Sequence, residues 1–293
     1  MRIVDRIKRD RWEIGFVEGG IDAVMGQEPL CVRWLKHRYR DRWFADPFVL
    51  DVTETEFLIL AEEYRYEAAK GRIALLRVDR QSFTLLSMDI VLELPTHLSF
   101  PAIWREEGQV FIYPESWQSG ALCLYELKGD CCDLRTKMVV CEEPMADAII
   151  TERFGKLQLF SVQENDKLRI YNFDVKTERF VLSHEKPFVK ATARNAGDFF
   201  EYEGRIYRPA QVCVNRYGEA VEIQSVAWDA DDNFCFVPYK TLYSSHATLD
   251  TGMHTLNCFK GVAVVDVHGW NHALTVKSFL AMKKKLLGLE RKS

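Results

Sequence analysis

Apolar runs of strand length recur along this chain, each separated from the next by a polar turn that often carries glycine. One stretch sets the pattern: Arg42-Trp43-Phe44-Ala45-Asp46-Pro47-Phe48-Val49-Leu50, where an acid followed by proline opens an apolar run. Proline biases the residue before it toward extended backbone, so Asp46 reads as the inner end of a strand. Like units follow at Leu98-Ser99-Phe100-Pro101 with a run after Gly108, at Met145-Ala146-Asp147-Ala148 with a run after Gly155, at Arg194-Asn195-Ala196-Gly197 with a run after Gly204, and at Gly252-Met253-His254-Thr255 with a run after Gly261. Asp46, Phe100, Asp147, Ala196 and Met253 thus hold like places at a spacing of roughly fifty residues, close to the size of a four-stranded propeller blade.

The predicted fold is all-β, a five-bladed β-propeller that takes residues 1–293 as one domain. Further strands are predicted at 57–64, 71–79, 121–127 and 168–173, and residues 12–17 have strand character early enough to close the ring against the last blade. From about 273 to 290, leucines and a methionine are spaced among Lys277, Lys283, Lys284 and Lys285, which predicts a short helix docked on the ring.

With 47% apolar residues the chain can bury a substantial core. A net charge of -4, with no long basic block, argues against nucleic acid as partner. Eight cysteines show no paired CxxC spacing, so neither a zinc knuckle nor a disulfide scaffold is indicated. The charged residues 1–10 lack the apolar centre of a signal peptide, and no segment approaches membrane-spanning length. The expectation is a cytoplasmic protein with no membrane span, no cofactor and no metal.

Acids at strand ends carry the candidate chemistry. Asp46, Glu115 (presented by Pro114 where its strand stops) and Asp147 each stand where a blade meets the central funnel. Glu62 and Glu63 must face opposite sides of a regular strand, and Glu63 is taken as the inward one. Blade four departs from the acidic theme with Arg194, Arg208 and Gln211, whose guanidinium and amide groups suit hydroxyls, carboxylate or phosphate. Blade five adds His254 and Asn257. Asp46, Glu115 and Asp147 are the catalytic candidates, since paired carboxyl groups can divide general acid and base work. Glu63, Arg194, Arg208, Gln211, His254 and Asn257 are the candidates for binding substrate.

Taken together, Trp43-Phe44-Ala45-Asp46-Pro47-Phe48, His97-Leu98-Ser99-Phe100-Pro101, Ile112-Tyr113-Pro114-Glu115-Ser116, Asp147-Ala148, Tyr207-Arg208-Pro209-Ala210-Gln211, Arg216-Tyr217-Gly218 and His254-Thr255-Leu256-Asn257 carry a resemblance. The stretch from about Trp12 to Asp266 resembles the N-terminal domain of glucosamine inositolphosphorylceramide transferases and their bacterial relatives. That domain is similar to the five-bladed propellers of the arabinanase, xylosidase and fructosidase glycosidases. The resemblance implies a carbohydrate or glycoconjugate ligand. It gives Asp46 the place of the catalytic base and Asp147 that of the carboxylate orienting the acid. The glutamic acid that would serve as proton donor on blade four has no counterpart near Arg194-Asn195-Ala196-Gly197, so Glu115 would have to take that role from blade two. Val212 stands where the resembling domains often carry an aspartate.

Three readings stay open on sequence alone: a glycoside hydrolase-like enzyme, a non-catalytic sugar-recognition module beside glycosyltransferase chemistry, and a scaffold for protein interaction. Three carboxylates gathered at one centre are costly to keep unless used or paired, which ranks the enzyme first. A scaffold would instead need an exposed apolar patch.

Overall fold

A computed structural model describes residues 10–129, 131–132, 137–163, 167–188, 190–228 and 233–270. The helix expected at 273–290 lies outside the described residues. Five antiparallel sheets are arranged as the five blades of a propeller. Blade one runs outward through Arg42–Val52, Glu56–Arg65, Lys70–Asp79 and Leu85–Leu92. Blade two has Ser99–Glu106, Gln109–Glu115 and Leu122–Lys128, the last pairing with both Cys131–Cys132 and Met138–Cys141. Blade three has Ala146–Thr151, Gln158–Val162, Lys167–Asp174 and Arg179–Pro187. Blade four has Phe200–Tyr202, Arg205–Val212, Ala220–Trp228 and Phe234–Leu242.

The fifth blade is built from both ends of the described chain. Leu256–Phe259 and Val262–Trp270 are joined by Asp10–Val17, which pairs in continuous register from Asp10 opposite Trp270 to Val17 opposite Ala263, and then by Val32–Trp34. The ring is therefore closed by main-chain hydrogen bonds. A short helix, Gly20–Met25, connects the two N-terminal strands.

Middle strands such as Gln158–Val162 are buried on both faces, because each blade is covered by a neighbour on either side. The outer strand Arg179–Pro187, by contrast, leaves most of its residues partly or fully exposed. Apolar side chains from blades one, two and three interlock in a single cluster that includes Leu60, Leu75, Phe100, Ile112, Phe160 and Ile170. A second cluster joins blades four and five through Val221, Ile223, Met253, Leu256 and Val265.

Three inner strands carry the same irregularity, and it shapes the centre of the ring. Ala45 opposes Glu62 and Phe48 opposes Leu60, so Asp46 and Pro47 face one residue. Phe100-Pro101 and Asp147-Ala148 repeat that two-against-one count in blades two and three. The first residue of each bulge has left-handed backbone, φ being 51° at Asp46, 46° at Phe100 and 48° at Asp147, so Asp46 is neither extended nor at a strand end as its place before proline predicts: the bulge overrides that bias. Such conformations cost about 1–3 kcal/mol for a residue with a side chain and persist only where surrounding contacts hold them. Here the contact is a carboxylate accepting the N–H of each bulge. Asp266 Oδ2 accepts from Asp46 N at 2.9 Å, Asp46 Oδ2 from Phe100 N at 2.9 Å, and Glu115 Oε2 from Asp147 N at 3.1 Å. Each blade's acid thus fixes the backbone of the next.

Between blades four and five the spacing is closer still. A Cβ on Gly197, whose φ is 155°, would lie 2.0 Å from Leu256 O and 2.6 Å from Asn257 Oδ1. Gly197→Ala is therefore expected to cost about 2–4 kcal/mol, from overpacking against backbone plus local strain. Urea unfolding would show this as a lower midpoint at unchanged slope.

Candidate functional site

The inner ends of the strands open on a cavity of about 230 Å³ lined by Trp12, Trp43, Ala45, Asp46, Glu62, Tyr64, His97, Ser99, Glu115, Asp147, Tyr217 and His254. All three catalytic candidates of the sequence, Asp46, Glu115 and Asp147, face it, and so does His254.

On one side sits a buried chain of charges. His254 Nδ1 lies 2.8 Å from Asp266 Oδ1, and its Nε2 lies 3.3 Å from Asp46 Oδ1. Asp266 also accepts the main-chain N–H groups of His254 and Thr255, so with Asp46 N it meets four donors. Burial works against charge on His254, but Asp266 and then Asp46 outweigh it and raise the imidazole to about 9. Burial raises Asp46 to about 6, against the pull of His254. Burial likewise opposes ionisation of Asp266, yet His254 and the main-chain donors hold its carboxyl below the ordinary range. Donor atoms of Asp46, His254 and Asp266 lie within 4.8 Å of one another, the spacing of a metal cluster. The imidazolium already supplies the positive charge at that point.

On the other side Arg194 bridges two acids. Its Nε donates to Asp147 Oδ2 at 2.6 Å, and its Nη2 lies 3.9 Å from Glu115 Oε2. Gln211 Nε2 donates to the same Asp147 oxygen at 3.1 Å, which places this predicted binding residue behind the acid. Burial first, then the negative charge of Asp147, raise Glu115 to about 8, with Arg194 pulling the other way.

An aromatic wall completes the cavity. Trp43 and Tyr64 stack at 4.6 Å with planes 4° apart, Trp12 stacks on His254 at 4.1 Å, and Tyr217 meets the His254 ring edge-on at 5.5 Å. Tyr217 is half exposed, so it stands at the rim.

Besides Gln211, three expected binding residues lie elsewhere. Glu63 does not face the funnel: it is buried on the opposite side of its strand, where Arg42 Nη1 lies 2.7 Å from one oxygen and Arg72 Nη2 2.9 Å from the other. Glu62 takes its place. Arg208 is fully buried behind the site, bonded to Asn195 Oδ1 at 2.8 Å, Gln224 Oε1 at 2.8 Å, Thr192 O at 3.1 Å and Ala193 O, with its guanidinium beside Phe188 and Phe236. Asn257 links blades, accepting from Asp198 N and donating to Pro47 O, both at 2.9 Å.

The sequence analysis also missed Asp266, an acid inside the apolar run Val262-Ala263-Val264-Val265-Asp266-Val267. It missed Glu62 although a signal was present. Glu62 follows Asp46 by 62 − 46 = 16 positions and Glu115 follows Phe100 by 115 − 100 = 15, and the registers place both glutamates opposite the residue before the bulge.

The charge pattern fixes the direction of one pH effect. His254 has a folded value raised above its ordinary one, so its contribution to stability is complete below about pH 6.5 and is lost as pH rises through about 9. Glu115, raised to about 8, keeps its proton in the folded state while the unfolded chain loses it, so it too lowers stability as pH rises from about 4.5 to 8. Thermal melts are expected to give a midpoint several degrees lower at pH 9 than at pH 6. An unchanged midpoint would contradict the buried imidazolium.

The chain is thus a five-bladed propeller with acids and aromatics gathered at the inner strand ends. The chain belongs to the family described as glucosamine inositolphosphorylceramide transferase 1, N-terminal, which matches residues 28–261. It is 25% identical over 219 residues to glucosamine inositolphosphorylceramide transferase 1 of Oryza sativa subsp. japonica and 24% identical over 220 residues to that of Arabidopsis thaliana. Each alignment covers 71% of this chain and 29% of the relative, so the chain spans under a third of the length of these proteins. Among solved structures, a GH43 enzyme from Xanthomonas citri complexed with xylose superposes with a TM-score of 0.51 at 11% identity, over 78% of this chain and 88% of that one. A GH43 β-xylosidase/α-arabinofuranosidase from a compost metagenome, in complex with xylotriose, gives 0.51 at 10% identity, over 80% and 93%. At those identities the likeness is one of fold. No helix among the described residues is long and apolar enough to cross a membrane.

Proposed function

We propose that the funnel binds a single ring of a carbohydrate or glycoconjugate and acts on its glycosidic bond by general acid–base chemistry. The observation that carries this reading is the pair Asp46 and Glu115, which line one aromatic-walled cavity and are raised to different extents, about 6 and about 8. Near neutral pH Asp46 is then mostly ionised, able to take a proton from water or attack the sugar, while Glu115 is mostly protonated, able to donate to the leaving oxygen. Asp147, held by Arg194 and Gln211, keeps Glu115 in place and opposes its ionisation. The cavity volume, below the roughly 300–1,000 Å³ of drug-sized sites, suits one ring, and the relatives' names also concern sugar chemistry.

A second reading, recognition without turnover, is favoured by one specific observation. Both oxygens of Asp46 are already engaged, one by Phe100 N and the other facing His254. A screen of aryl furanosides and pyranosides for turnover, run beside a glycan-binding array, separates the readings. For an enzyme the rate should be bell-shaped in pH, falling below about 6 as Asp46 gains its proton and above about 8 as Glu115 loses its own. Binding with no turnover would leave a recognition module, and silence on both would remove the carbohydrate reading.

A further inference from the structure

Glu62 is an acid for which the chemistry above has no use. It is 5% exposed, it faces the cavity, and its Oε1 has no hydrogen-bond partner among the described residues. The cations nearby are committed elsewhere: Arg42 and Arg72 both hold Glu63, and Lys70 reaches Glu93. Burial first, then the charges of Asp46, Glu115, Asp266 and Glu63, drive Glu62 well above the ordinary carboxyl range, which favours its neutral form. A buried polar atom left unpaired costs about 1–3 kcal/mol, so Glu62 Oε1, which no described protein group satisfies, is an acceptor available to a polar group in the cavity.

His97 stands beside it. Gly71 N–H donates to His97 Nδ1 at 2.9 Å, which makes Nδ1 the acceptor and, because burial lowers the basicity of this imidazole, leaves the proton on Nε2. Nε2 lies 3.4 Å from Glu62 Oε1, too poorly aligned to bond it. A donor and an acceptor therefore point side by side into one cavity, next to the Tyr64–Trp43 stack. The backbone is shaped for this arrangement. A Cβ on Gly71 would lie 2.4 Å from Glu62 Oε1 and 2.8 Å from His97 Cε1.

We propose that Glu62 and His97 form a two-point subsite that reads neighbouring hydroxyl groups of the sugar ring, His97 Nε2–H donating to one oxygen and Glu62 Oε1 accepting from the other. This rests on the carbohydrate reading of the funnel and names the feature of the sugar that it selects. A hydroxyl both accepts and donates, which matches this pair. An ammonium group would leave the His97 donor unanswered. Glu62 is on this account a specificity-determining residue, placed apart from the proton transfers assigned to Asp46 and Glu115.

The test titrates the full chain by calorimetry with methyl glycosides of D-xylose, D-glucose, D-galactose and L-arabinose, then with the monodeoxy analogues of whichever binds. Glu62→Ala is expected to weaken binding of the full glycoside by about tenfold or more. One monodeoxy analogue should bind the parent protein as weakly and lose nothing further in Glu62→Ala, and the analogue lacking the adjacent hydroxyl should behave in that way toward His97→Ala. Glu62→Gln, which keeps a neutral acceptor and the fold, should restore affinity to within about threefold. Parent-like binding by Glu62→Ala, or a loss that adds in full to every deoxy loss, would overturn the subsite while leaving a sugar-binding funnel. A 2-amino analogue held more tightly than its hydroxyl counterpart through Glu62 would replace hydroxyl reading with ammonium reading. Binding of none of the glycosides by the parent protein would remove the carbohydrate reading and this inference together.

Discussion

Asp46→Asn is expected to lower turnover of a glycoside by about a thousandfold, within the range of 10² to 10⁴ that a positioned general base contributes. The amide keeps the shape of the side chain and an oxygen for Phe100 N–H, so the bulge of blade two stays in place. It cannot accept a proton from water or form a bond to the sugar. Because Asp46 also faces His254, the substitution removes one of the carboxylates that keep the imidazole charged, and its raised value should fall toward the ordinary one. Binding and a thermal melt measured beside turnover distinguish the outcomes. Retained binding with lost turnover supports the base, and lost binding with a parent protein that never turned over supports recognition alone. Turnover within about tenfold of the parent would end Asp46's part in the chemistry, since one removed proton acceptor costs more than that.

Much of the ring could be read from sequence because blades repeat, and a repeat exposes what a single strand conceals. The places of Asp46, Phe100 and Asp147 were legible as an unusual residue before proline or alanine at the head of an apolar run, and all three lie inside their inner strands, but the bulges that they open were not. Blades four and five behave differently. Their inner strands are only Phe200–Tyr202 and Leu256–Phe259, and both begin a few residues after the places marked by Ala196 and Met253. There Gly197 and Gly252 bring backbone against backbone, and the ladder starts later.

The errors in the site share a physical origin, since alternation along a strand says that neighbours diverge without saying which faces the axis. Glu62 and Glu63 were separated correctly and then assigned the wrong way round. The deciding fact is register: Glu63 lies opposite Arg72, which marks its face as the one with counter-charges. Arg208 and Gln211 are three positions apart, so in a regular strand they face opposite sides and cannot both meet a ligand. Gln211 reaches Asp147, whereas Arg208 pairs across its strand with Gln224, away from the cavity. Asp266 was hidden because a lone acid in an apolar run carries no signal of its partners.

Asp266→Ala is expected to be the most destabilising single change at the centre, costing about 4 kcal/mol or more. Its carboxylate accepts from Asp46 N, His254 N, Thr255 N and His254 Nδ1, and all of these groups are buried. Alanine leaves main-chain donors without partners at about 1–3 kcal/mol each, and takes from the His254 ring the carboxylate that raises it most. The position adds to the cost. Asp266 lies on Val262–Trp270, the strand that Asp10–Val17 joins to close the ring, and its bond to Asp46 N ties the last blade to the first from inside. Losing it opens the inner seam while the outer ladder remains. Against a total stability of about 5–15 kcal/mol, such a loss should bring the urea midpoint down steeply or unfold the protein at 37 °C. Asp266→Asn, which keeps one acceptor, should fall between alanine and parent, and in that variant an NMR titration should find His254 well below about 9. An alanine variant within about 1 kcal/mol of the parent would show that the main-chain donors find other acceptors, and that the seam does not depend on this carboxylate.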